Sequence, residues 1–233
     1  SEMCIRDRFK GGKKIMPGTF NGTTLTISAT PVDHALIPDE GATNVAGIAI
    51  VGSDMYCVKT TGLKTTLLKT TDYMATKATA VKKDLNWFAL GLTKIGNYLY
   101  MLAEDHKGYG GSTTIVKLDT KGNQLGTYSI NEICPKGALG ITAADGTNEK
   151  FIIMHYADKS NAGTLTFSVV DWKAAKAAST FTVTNSGFGY TTQLQDIYYH
   201  TSFGLFILTN NTFSTLQNLS LIHISEPTRR SYI

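Results

Sequence analysis

Between about Val45 and Thr215, apolar and polar positions alternate with a period of two, in short runs broken by Gly, Asn and Asp. Alternation rich in β-branched and aromatic residues predicts half-buried strands rather than helices. Three stretches share one plan: "AGIAIVGSDMYCV" from Ala46, "LGLTKIGNYLYML" from Leu90 and "LGITAADGTNEKFIIM" from Leu139. Each opens on a small or aliphatic residue, then Gly, then Ile or Leu, then Ala or Thr. A polar turn and an aromatic-rich apolar strand follow. The leading glycines, Gly47, Gly91 and Gly140, stand 44 and 49 residues apart. A weaker fourth copy, "LQDIYYHTSFGLFIL" from Leu194, has Asp196 where the glycine would be.

A Thr-rich third strand follows each of the three: "TTLLKTTDY" from Thr65, "TTIVKLDTKGN" from Thr113 and "TLTFSVVDWK" from Thr164. Two copies run on into a fourth, "QLGTYSI" from Gln124 and "STFTVT" from Ser179. The linkers "GSD", "IGN", "DGTNE" and "DTKGN" carry the residues that accept tight-turn backbone angles. "DWKAAKAAS" is the one candidate for helix, with a loop as its alternative. Residues 9–44 show one strand pair at most.

Four short strands every ~45–50 residues is the period of propeller blades. The leading glycine fits the same geometry, because the first strand of a blade lines the crowded axis, where a missing Cβ permits close approach. The chain therefore resembles a β-propeller of the kind found in bacterial extracytoplasmic proteins, with residues 45–218 forming blades. The expected fold is all-β, an incomplete β-propeller of about four four-stranded blades. The alternative is a tandem β-sandwich, whose units need ~100 residues and seven or more strands. The resemblance rests on pattern, with no WD dipeptide, kelch double glycine or tryptophan-docking signature.

The two ends break the pattern. All four arginines, Arg6, Arg8, Arg229 and Arg230, lie in "SEMCIRDRFK" and "LSLIHISEPTRRSYI". The codons TCG GAG ATG TGT ATA AGA GAC encode Ser1 to Asp7. Their reverse complement, with its flanking bases, encodes Leu219 to Glu226 in order. Both ends thus resemble the translated, transposase-derived adapter of a sequencing-library chemistry. Residues 1–8 and 219–233 are accordingly expected to be adapter sequence, extended or weakly packed, and residues 9–44 a partial blade or linker. Such segments are set aside before fold reasoning, and Cys4 and His223 with them.

Charge adds little. Residues 9–218 hold 18 lysines and 15 acidic residues, a net +3 spread evenly, which argues against a nucleic-acid partner. No apolar run approaches the ~20 residues of a membrane helix. Cys57 and Cys134 each stand without a second Cys or His at ligand spacing, so no metal or other cofactor is expected. Both are expected to be buried thiols, with a bridge between them as the alternative.

The search for chemistry yields binding rather than catalytic candidates. "KGYGGST" from Lys107 joins two strands, whereas a phosphate loop opens a helix. "DTKGN" lacks the ladder of a calcium loop. His34, His106, His155 and His200 are dispersed, and His155 lies on an apolar strand, where a satisfied core histidine is expected. Glu104, Asp105 and Asp158 end equivalent second strands and would ring one face as a ligand or ion site. Tyr109, Trp172, Phe188 and Tyr190 lie in polar connections, where a ring stacks on a sugar, anchors a protein or caps a blade edge. The function expected is a non-catalytic binding or scaffold module of a larger exported protein, with an unknown protein or carbohydrate ligand. The rivals are a propeller enzyme acting on glycans through axial carboxylates and a purely structural spacer.

Overall fold

The computed structural model describes residues 2–6, 14–20, 25–27, 32–33, 44–71, 78–105, 112–135, 137–145, 148–156, 164–174, 176–184, 192–200 and 204–211. All regular structure there is β. Three four-stranded antiparallel meanders follow one another. The first holds β5 (Asn44–Val51), β6 (Asp54–Thr61), β7 (Lys64–Thr70) and β8 (Thr79–Leu85). The second holds β9 (Trp87–Ile95), β10 (Tyr98–Asp105), β11 (Thr113–Leu118) and β12 (Gln124–Ser129). The third holds β13 (Ala138–Ala143), β14 (Lys150–Tyr156), β15 (Thr164–Asp171) and β16 (Lys176–Thr184). A fourth sheet pairs β17 (Thr192–His200) with β18 (Gly204–Asn211).

The first strands of successive sheets pack on one another, β5 on β9, β9 on β13 and β13 on β17. The other strands step outward from them in chain order. This radial succession of meanders is an incomplete β-propeller. Each first strand carries a bulge beside its glycine position, between Ala46 and Ile48, Ala89 and Gly91, Ala138 and Gly140, and Leu194 and Asp196. A bulge adds local twist where the strands converge. Gly47 has φ 63°, and a Cβ there would stand 2.1 Å from the Leu92 backbone nitrogen. A Cβ on Gly91 would meet the Ile141 side chain at 3.1 Å. Close approach at the axis is thus what these two glycines permit.

Middle strands are buried on both faces, which explains their unbroken apolar runs. Along β10, Leu99, Met101 and Ala103 face the first blade, where they meet Ala49, Tyr56, Val58 and Leu67. Tyr100 and Leu102 face the third, where they meet Ile141, Phe151, Ile153 and Val170. Two apolar seams between three blades therefore form the core.

Five local outcomes refine the sequence expectations. The first blade has its fourth strand in β8, which carries Lys82, Lys83 and Asp84 and is mostly exposed. In "DWKAAKAAS" residues 172–174 form a turn after β15 and residues 176–179 belong to β16, so its described residues are not helical. Among the described residues of 9–43 there are three strands rather than one pair: β2 (Lys14–Phe20), β3 (Leu25–Ile27) and β4 (Val32–Asp33). β1 (Glu2–Arg6) is extended and pairs with β2, while residues 219–233 lie outside the described residues. Cys57 and Cys134 are both buried thiols, with no disulfide between them.

Candidate functional site

The seam between the second and third blades carries most of the described polar chemistry, gathered at its two ends. At one end stands Glu149, in the β13–β14 connection. Its Oε1 accepts hydrogen bonds from the Tyr100 hydroxyl and the Lys117 ammonium, each at 2.5 Å. Tyr100 and Lys117 are cross-strand partners on β10 and β11, so register alone presents both to the same carboxylate. The Lys117 Nζ also lies 4.4 Å from the Tyr98 ring centroid and 5.5 Å from that of Tyr100, cation–π range in each case.

Burial alone would raise the Glu149 carboxyl, but the bonds from Lys117 and Tyr100 and the Lys117 charge outweigh it and hold it below the ordinary carboxylate value. Burial, reinforced by the bond and charge of Glu149, pushes the Tyr100 phenol well above the usual tyrosine range.

Trp172 roofs this end of the seam. Its ring stands edge-on to Tyr100 and to Tyr128, 5.9 Å between centroids in both cases. Its backbone N–H donates to the Glu149 carbonyl at 2.9 Å. Gly126 lies beneath, where a Cβ would come within 3.4 Å of the indole. The half-buried Trp172 thus does what a blade-edge cap does.

At the opposite end, Glu104 shares the face of Tyr100 and Leu102 and is buried, its Oε1 3.7 Å from where a Gly137 Cβ would stand. Its cross-strand partner Thr113 is fully buried, with an Oγ1 that has no hydrogen-bond partner. On the facing wall, buried His155 bonds through Nε2 to Ser168 Oγ at 2.9 Å, and Ser168 Oγ lies 3.2 Å from Thr180 Oγ1. His155 is therefore a satisfied core histidine. Asp105 is half-buried at the end of β10, its backbone N–H donating to the Ser112 carbonyl at 3.2 Å.

Of the residues singled out from the sequence, Glu104 and Trp172 share this seam at its opposite ends, and Asp105 adjoins it. Tyr109, Asp158, Phe188 and Tyr190 lie outside the described residues. Tyr98, Tyr100, Lys117 and Glu149 escaped sequence reasoning. Only the Tyr100–Lys117 pair had a signal in the repeat, because Tyr56 pairs with Lys69 in the first blade as Tyr100 pairs with Lys117 in the second. There the acid is Asp54, 2.9 Å from Lys69. Among the described residues no group of three or more His, Cys, Asp or Glu side chains is placed to hold a metal ion, and no helix is long and apolar enough to cross a membrane.

The fold and its seams define a β-propeller module. No family model matches the chain, and no curated protein does. Among solved structures it is similar to the Bacteroides ovatus xyloglucan PUL GH43B protein, with TM-score 0.52 and 14% identity over 70% of this chain. It is also similar to Myxococcus xanthus glutaminyl cyclase, with TM-score 0.50 and 13% identity over 84% of this chain and 82% of that one. The chain spans only 34% of the length of the Bacteroides protein. At these identities the likeness is one of fold.

Proposed function

We propose that this propeller is a non-catalytic binding or scaffold module, acting on a carbohydrate or protein ligand as part of a larger exported protein. The observation that carries this reading is how its polar side chains are used. Glu149 is engaged by Lys117 and Tyr100, Asp54 by Lys69, and His155 by Ser168. Glu104 lies inside a seam, on the second strand of its blade rather than the first. Side chains fixed as links within and between blades rigidify a surface, which favours recognition over proton transfer. The glycan-hydrolase alternative needs two carboxylates flanking a bond at an open site.

Affinity electrophoresis of the whole chain through gels containing xylan, β-glucan or galactan, with reducing ends assayed in parallel, tests the reading. Retardation in at least one gel without reducing-end release is the expected result. Release above background would overturn it in favour of the hydrolase, whereas neither effect would favour the spacer.

A further inference from the structure

The Glu149 end of the seam retains unused bonding capacity. Among the described residues Glu149 is engaged through Oε1, by two donors, which leaves Oε2 as an acceptor there. Lys117 gives one N–H to Glu149 and lies over Tyr98, so its ammonium keeps further donors. Tyr98 is 44% exposed, an exposed aromatic of the second blade. The Glu149 and Lys117 side chains are 18% and 21% exposed, open to solvent yet held in place. A carboxylate acceptor, an ammonium donor and an aromatic face thus meet at one mouth. Trp172 adjoins it, packed edge-on to Tyr100 and Tyr128.

We infer that this mouth, formed by Tyr98, Lys117 and Glu149, is a binding site for a neutral pyranose unit. This rests on the binding-module reading and gives it a place and a ligand class. The charge balance selects neutrality. Glu149 and Lys117 cancel in contact, and Lys173 is the further charge that reaches Glu149, so a cationic sugar meets ammonium groups and an anionic one meets the Glu149 carboxylate, each at a cost. A hydroxyl-rich ring satisfies both, donating to Oε2 and accepting from Nζ. Its C–H face, weakly positive, lies against the face of the Tyr98 ring that Lys117 leaves uncovered. The mutual bonds of Glu149, Lys117 and Tyr100 fix the polar groups before a ligand arrives, which lowers the ordering cost of binding.

The test is a titration of the isotope-labelled whole chain with methyl glucoside, methyl galactoside and methyl mannoside, followed by NMR. Glucuronate and glucosamine serve as charged probes. Saturable shifts at Tyr98, Lys117 and Glu149 are expected with at least one neutral glycoside. Tyr98→Ala and Glu149→Gln should each weaken that binding about tenfold, while Tyr98→Phe should keep it within about threefold. Leu63→Ser, on a turn of the first blade, should change nothing. Stronger binding of glucuronate or glucosamine would overturn the inference, as would absence of any neutral-glycoside shift at these residues. If polysaccharide gels retard the chain and both mouth variants are retarded equally, this inference fails while the binding-module reading stands.

Discussion

Thr93 and Thr142 occupy the same place in successive blades, two residues after the leading glycine. Thr93 Oγ1 accepts from the Ala143 backbone N–H of the next blade at 3.2 Å, and Thr142 Oγ1 accepts from Tyr199 at 3.0 Å. Replacing Thr142 by Val keeps the shape and strands the Tyr199 N–H. Chemical denaturation should then show a loss of about 1–3 kcal/mol. The first blade has Ala49 at this place, so its seam lacks that bond and uses Thr60 and Thr65 instead. Both hydroxyls lie 3.3 Å from the Ala89 N–H, and Thr65 donates to the Trp87 carbonyl at 2.7 Å.

Glu149 supplies a second residue-scale prediction. Because its folded carboxyl is held below the ordinary value, its contribution is present above the unfolded carboxylate range and lost as pH falls through the folded value. Glu149→Gln should lower the melting temperature near pH 7 and flatten the acid-side decline seen in the parent chain. Burial pushes the Cys134 thiol up to about 12, so it should react with a thiol reagent only after unfolding.

At the scale of the element, what the sequence revealed depended on burial. Strands β6, β10 and β14 were legible because two-sided packing demands continuous apolar runs. Strand β8 was not, since only its last residue is buried and its pairing with β7 is twice interrupted. Alanine favours helix in "AAKAA", yet pairing with β15 prevails, as tertiary context overrides weak propensity. The glycines were legible from spacing, but not their separate tasks. Gly47 needs a left-handed backbone as well as space, so Gly47→Ala should cost at least about 4 kcal/mol or abolish folding, measured by urea denaturation. The Tyr98–Lys117–Glu149 mouth was hidden because its carboxylate comes from a different blade, and sequence spacing does not report which loop faces which strand.

At the scale of the molecule, the repeat builds seams rather than independent units, and both the core and the candidate site belong to seams. The seam between the second and third blades is apolar in its middle and polar at both ends. Its mouth is therefore rigid without being closed, a suitable base for recognition. The central claim is that successive sheets stack through their first strands, which a tandem sandwich would not do. Nuclear Overhauser contacts in the isotope-labelled, protonated whole chain test it most directly. The account predicts a contact between Gly47 Hα and the Leu92 amide, and another between Gly91 Hα and the Ile141 methyl groups. Absence of both, with the strand ladders within each sheet intact, would contradict the propeller arrangement.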